Sequence, residues 1–261
     1  MLLKDKVAVV YGAGGEIGSA VAQAFADEGA RVFVTGRTPG PVDAVAKTIT
    51  SAGGLAEAAT VDALDESEIE QHLEFVVDRA GRIDVSVNAV GFPTESMAPL
   101  VDQRADVFAA VLAAYTSSYF LTARHAARKM TAQQSGAILT VTALPARSGG
   151  AGLGAYGAAQ AAKDALMRLL SVELAATGIR VANIRPHAIP GSPTIRQIYE
   201  LRAKETGMPW DAYVSALASR THTGRLSTLT EVADAAVFLA SDRAAGLTGT
   251  TLNLTMGNLD D

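Results

Sequence analysis

The chain has 261 residues, 49% hydrophobic but only 5% aromatic, which suits closely packed helices and strands around a sizeable core. A net charge of −5 with no basic stripe argues against nucleic acid as a partner. The absence of cysteine excludes disulfides, thiolate catalysis and Cys-based metal sites, and fits a reducing cytoplasm, the compartment expected here.

The opening "MLLKDKVAVVYGAGG" has neither a long apolar h-region nor a small-residue cleavage pattern, so no signal peptide is expected. The longest apolar runs, such as "VFAAVLAAY", reach about half the ~20 residues of a membrane span, and no membrane is expected as a partner. His72, His125, His187 and His222 form no H-x-x-x-H pair, so no metal site is expected.

"KVAVVY" (6–11) is a short β-branched run. A glycine cluster follows, then "IGSAVAQAFADEG" at helical spacing with a closing Gly. "ARVFVTG" and "PVDAVAKTITSAGG" repeat the strand and helix signals, and "LAEAATVD" is a weaker third strand. "DESEIEQHLEFVVDRAG" begins acidic and ends on Arg before Gly, the polarity a helix dipole favours. "IDVSVNAVG" is strand four, a helical region spans roughly 101–133, and "GAILTVT" is strand five. A helix over 154–177 leads to "GIRVANIRP", strand six. The Pro- and Gly-rich stretch 186–193 precedes helix-like pieces "IRQIYELRAKE" and "PWDAYVSALASR". A last helix, "TEVADAAVFLASD", runs into the final strand "TGTTLNLT".

This alternation predicts an α/β fold: a doubly wound, Rossmann-like parallel sheet of about seven strands with helices on both faces. Without a linker or fixed-period repeat, residues 1–261 are expected to form one domain, with 186–222 as a substrate loop or lid.

"YGAGGEIG" (11–18) lies between the first strand and first helix, where such a fold receives a dinucleotide pyrophosphate. Taken with "VDALDES", "VNAVG", "AYGAAQAAKDAL", "GIRVANIRP" and "GRLSTLTEVADAAVFLASD", it resembles the short-chain dehydrogenase/reductase (SDR) family over nearly the whole chain. The resemblance is to the branch that contains 3-oxoacyl-carrier-protein reductases. It implies coenzyme contacts from Gly12, Gly15, Ile17 and Gly18 in the loop, and from Asp62 and Ala63 beside the adenine. It also implies contacts from Asn88, Ala89 and Gly91 at the end of strand four, from Tyr156 and Gln160, and from Pro186 and Ile189 after strand six. Glu16 stands where the family has its middle glycine, and a carboxylate there is unfavourable to a pyrophosphate unless it turns outward. Strand two ends "VTGRTPG" with Arg37 and no carboxylate, so NADP(H) is expected over NAD: a guanidinium suits a 2′-phosphate.

In the family a Ser polarises the substrate carbonyl. A Tyr thirteen residues later exchanges a proton with it, a Lys four residues after that lowers the phenol's pKa, and an Asn on the preceding long helix completes a relay. Tyr156 fits the Tyr, but Ala143 stands at the Ser position, Gln160 at the Lys and Tyr115 at the Asn. An unperturbed phenol titrates at about 10, and a neighbouring ammonium is what brings it toward neutrality. Thr142 is a poor stand-in for the Ser because consecutive strand residues point to opposite faces. The spacing Tyr156-x6-Lys163 is similar to that of enoyl reductases, yet "LSVELAATGIRV" places Gln160 at the family's Lys, and Lys163 is expected as an exposed helix charge. The candidate catalytic groups are therefore Tyr156, Tyr115 and His187, the last two with packing as the alternative.

Three functions stay open. The first is an NADP(H)-dependent oxidoreductase acting on a carbonyl or alcohol. The second is a non-redox enzyme on the same scaffold, such as an isomerase, dehydratase or cyclase. The third is a non-catalytic dinucleotide-binding protein. Tyr199, Met208, Trp210 and Tyr213 in the lid point to an apolar or aromatic small-molecule substrate. The resemblance implies a homo-oligomer, a tetramer before a dimer.

Overall fold

The structure, a computed structural model, describes all residues except 93–97, 151, 193–195, 197–198, 201–202, 205–206 and 260–261. Its strands are β1 (Val7–Tyr11), β2 (Arg31–Gly36), β3 (Leu55–Thr60), β4 (Val85–Asn88), β5 (Gly136–Val141), β6 (Ile179–Pro186) and β7 (Thr250–Leu254). They form one parallel sheet in the order β3-β2-β1-β4-β5-β6-β7. The helices are α1 (Glu16–Asp27), α2 (Pro39–Ser51), α3 (Glu66–Ala80), α4 (Ala105–Gln133), α5 (Gly154–Glu173), α6 (Trp210–Ala218) and α7 (Leu229–Ala240).

Every residue of β1 and β4 is buried, as the unbroken apolar run "VAVVY" requires of a strand covered on both faces. Alternate side chains feed two cores. Ala8 and Val10 join Val21 and Phe25 of α1, Val45 and Ile49 of α2, and Val232 and Ala236 of α7. Val9 and Tyr11 join Ile69 and Leu73 of α3, Tyr119 and Met130 of α4, and Met167 of α5.

The doubly wound expectation holds, with small shifts at helix ends. A single 3₁₀ turn, Leu100–Asp102, precedes α4, so the helix starts at Ala105 rather than 101. The helix α5 stops at Glu173, and a second 3₁₀ turn carries the chain to Gly178, which adopts φ +68° as a left-handed stop. The expected helix over 195–205 lies partly outside the described residues.

From β1 the sheet grows in one direction through β2 and β3 and in the other through β4 to β7, so the winding reverses between β1 and β4. A crevice opens at the carboxyl ends of strands at such a reversal. Helix caps mark the place. The helix α3 is capped by Asp65, whose carboxylate accepts from Glu68 N, and α7 begins with a reciprocal Thr228–Glu231 capping box. At α1 the N-cap is Gly15 and no side chain caps the helix.

Candidate active site

The loop between β1 and α1 is built from close backbone approaches. Gly12 has φ +78°, and a Cβ there would lie 2.8 Å from the Ala89 carbonyl oxygen at the end of β4. A Cβ on Gly18 would lie 2.2 Å from Gly12 O, so the first turn of α1 sits directly on the loop. Gly14 and Gly15 are exposed, while Glu16 and Ile17 are half-buried in the first turn. The uncapped N–H groups and dipole of α1 therefore face outward past two bare glycines, the surface a phosphate chain needs.

The neighbouring strand ends complete this rim. Asn88 is buried, with Nδ2 donating to Ser118 O (3.2 Å) and Thr122 Oγ1 (3.1 Å), while its Oδ1 has no partner. Asp62 Oδ1 accepts from Leu64 N at 2.9 Å, holding the turn that carries the buried Ala63. Gly91 is exposed at the end of the β4 segment. Pro186 and Ile189 are buried at the end of β6. Arg37 is exposed, and among the described residues its guanidinium makes no ion pair; its Cζ lies 5.8 Å from the Phe92 ring centroid.

At the other end of the crevice, Tyr156 stands in the first turn of α5, and its hydroxyl makes no hydrogen bond to a described residue. Burial, together with the nearby Tyr115 and Tyr199 phenols, pushes its pKa above the ordinary phenol range, and no cation opposes the shift. Ala143 puts a methyl where the resemblance has a hydroxyl. The Thr142 hydroxyl is spent on Ile184 O at 3.4 Å, on β6. Gln160, one turn beyond Tyr156, is buried with Oε1 unpartnered.

Tyr115 reaches across from α4. Its ring meets Tyr156 edge-on at 5.5 Å and 73°, and meets Phe92 at 5.1 Å and 79°. Its hydroxyl accepts from Phe92 N at 3.2 Å and donates to Phe92 O at 3.1 Å, so both hydrogen-bonding roles go to one residue of the loop after β4. Burial raises its pKa as well. His187 is buried, and its Nδ1 accepts from Ala188 N at 2.6 Å. Burial and Arg220 lower its pKa, and it makes no hydrogen bond or ring contact with either tyrosine. In the stretch after β6, Tyr199 and Tyr213 pack at 5.9 Å, and Arg196 covers the Trp210 ring at 5.1 Å.

Lys163 corrects the sequence reading. It is 1% exposed, and its Nζ donates to Val141 O at 2.7 Å between the Tyr115 and Tyr119 rings, 6.0 and 5.9 Å away. Seven helical residues bring a side chain back to within about 20° of its starting face. Tyr156, Gln160 and Lys163 thus share the inner face of α5, a periodicity visible in the sequence that the alignment overrode. Asp164, the next residue, accepts from Asn183 Nδ2 at 2.7 Å and from Arg185 Nη2 at 2.6 Å, and all three are buried. Phe92 was not singled out from the sequence; its one signal is its place directly after the strand-end glycine in "NAVGF".

Residues 12–258 match the family described as "Enoyl-(Acyl carrier protein) reductase". The chain is 33% identical over 248 residues to the cis-4-hydroxycyclohexanecarboxylate dehydrogenase of Sinomonas cyclohexanicum, covering 95% of this chain and 94% of that one. Among solved structures it superposes on an NAD⁺-bound xylitol dehydrogenase with TM-score 0.92 at 26% identity, covering 98% and 100% of the two chains. It also superposes on an actinorhodin polyketide ketoreductase variant with NADPH, with TM-score 0.90 at 26% identity over 97% and 98%. No helix among the described residues is long and apolar enough to cross a membrane.

Proposed function

The chain belongs to the short-chain dehydrogenase/reductase family of oxidoreductases, and on that premise we propose that it is an NADP(H)-dependent enzyme of a carbonyl or alcohol substrate with Tyr156 as its proton donor. One observation carries the reading: the uncapped α1 behind its glycine loop and the free phenol of Tyr156 open on the same edge of one sheet.

The residues fit such a coenzyme. The bare glycines and α1 N–H groups take the pyrophosphate, Asp62 and Ala63 flank the adenine, and Arg37 takes the 2′-phosphate. The orphaned Oδ1 of Asn88 and Oε1 of Gln160 are acceptors left for the nicotinamide half. When bound, the nicotinamide supplies or accepts the hydride.

The remaining chemistry is that of the chain's own side chains. Tyr156, with its pKa held high, stays protonated through the neutral range and delivers its proton to the carbonyl oxygen as negative charge develops there. Tyr115 braces the Tyr156 ring edge-on and spends its own hydroxyl on Phe92. His187 holds the loop after β6 through Ala188 N. Without a hydroxyl at position 143 or a cation at position 160, the phenol stays protonated but is a weaker acid, so proton transfer is slower than at a phenol of lowered pKa.

Tyr115, Tyr156 and Tyr199 give the substrate side an aromatic lining, which supports a cyclic or aromatic ketone. The cyclic alcohol named for the Sinomonas relative points the same way. The spent Thr142 hydroxyl supports one other reading, a non-redox isomerase or dehydratase that needs no carbonyl donor at that point. The proposal extends to one domain over 1–261 and to a homotetramer, the latter resting on Phe120 of α4 and Leu169 and Val172 of α5, which are 40%, 60% and 77% exposed.

Titration with NADPH and NADH by fluorescence, followed by a ketone screen at 340 nm, tests the function. Tighter NADPH binding with ketone-dependent oxidation supports it. Binding without turnover favours the non-redox reading or a non-catalytic dinucleotide-binding protein, and no nucleotide binding removes the oxidoreductase reading.

A further inference from the structure

Arg37 and Phe92 belong to different strands. Arg37 follows β2, Phe92 lies four residues past the end of β4, and β1 runs between those strands. Adjacent strands are about 4.8 Å apart, so two strand spacings, about 10 Å, separate the two chain ends. The side chains nevertheless meet, with Cζ 5.8 Å from the ring centroid, and they do so over the carboxyl end of β1, where the glycine loop begins.

The ring does not float there. Its residue is fixed at both backbone polar atoms by the Tyr115 hydroxyl, and the Tyr115 ring backs it at 5.1 Å. A guanidinium lying over an aromatic face keeps its in-plane N–H donors free for another partner. An exposed arginine left to itself loses rotamer freedom whenever it engages a ligand, and a shelf that has already oriented it reduces that cost.

We propose that Phe92 is a coenzyme-specificity residue: its ring, clamped by Tyr115, holds the Arg37 guanidinium across the crevice mouth in position for the 2′-phosphate of a dinucleotide. This rests on the reading of Arg37 as the phosphate partner. Phe92 and Tyr115 act through Arg37 and are positioning residues.

The test uses full-length protein and fluorescence titrations with NADPH and NADH, with thermal melts confirming that each variant is folded. F92L keeps an apolar side chain but removes the aromatic face, and F92Y restores that face. F92L is expected to weaken NADPH about threefold to tenfold while NADH moves by less than about twofold, and F92Y is expected to recover wild-type discrimination. Y115F, which removes the clamp but leaves the ring, is expected to shift the NADPH/NADH ratio in the same direction by less. In an R37A background, F92L is expected to leave the ratio where R37A alone puts it.

An equal loss of both nucleotides in F92L, no change in either, or tighter NADPH binding overturns the proposal. If R37A itself leaves the ratio unchanged, the NADP reading fails and the proposal falls with it. If R37A collapses the ratio while F92L does not, the proposal alone fails.

Discussion

The glycine-loop end of the crevice and the tyrosine end share one sheet edge, yet they are built from different material. The loop end is defined by backbone: Gly12 against Ala89 and Gly18 against Gly12 leave no room for a side chain, and α1 needs only to stay uncapped. Glu16, in the first turn of α1, sits beside that geometry without disturbing it, with Gly12 at φ +78°. The tyrosine end is defined by side chains: the Ala143 methyl, the Gln160 amide with its Oε1 unpartnered, and the Tyr115 hydroxyl committed to Phe92. A site made of backbone survives substitutions around it, whereas a site made of functional groups changes with each one.

The sharpest way to break this contrast is at Gly18. Gly18→Ala places a methyl 2.2 Å from Gly12 O. NADPH affinity is expected to fall by at least about 100-fold and the melting midpoint by several degrees, because backbone would have to move. Fluorescence titration and a thermal melt check both.

Tyr156→Phe probes the opposite end. Ketone reduction is expected to drop by about 10²- to 10⁴-fold in kcat, with NADPH affinity within about twofold of wild type. Unchanged turnover in single-turnover assays would take the proton donor away from Tyr156.

The pH profile sharpens the comparison further. Because burial raises the Tyr156 pKa, reduction is expected to be flat from about pH 6 to 9, whereas alcohol oxidation, which needs the phenoxide, climbs about tenfold per pH unit. Gln160→Lys adds an ammonium and is expected to make that climb level off at lower pH.

The smallest effect concerns Lys163. Burial pushes its amine down from 10.5 to about 7. Between those two values the unfolded chain carries a proton that the folded chain lacks, so stability rises with pH across that window and is level below it. Urea denaturation at pH 7 and 9.5 is expected to show a gain on the order of 2 kcal/mol in the wild type that is absent from Lys163→Met.

The parallel, doubly wound alternation of strands and helices and the glycine turn between β1 and α1 were legible because each follows from local periodicity and turn chemistry. Three features were not. Lys163 reads as a solvated charge because lysines on helices usually are, and only the packing of α4 against α5 buries it. The fate of the Tyr115 hydroxyl depends on a residue 23 positions away, which no local pattern encodes. The meeting of Arg37 with Phe92 needs the sheet order itself, since 55 residues and one intervening strand separate them.

The buried pair of Asp164 and Arg185 has a bearing on how this chain tolerates change. It fastens the helix bearing Tyr156 to the end of β6, and neither partner has water to fall back on. Losing one member alone removes the other's buried counter-ion, at a cost of several kcal/mol that a marginally stable protein does not absorb. These two positions are therefore expected to mutate in concert or not at all, and an apolar pair introduced together should be tolerated where either single exchange is not.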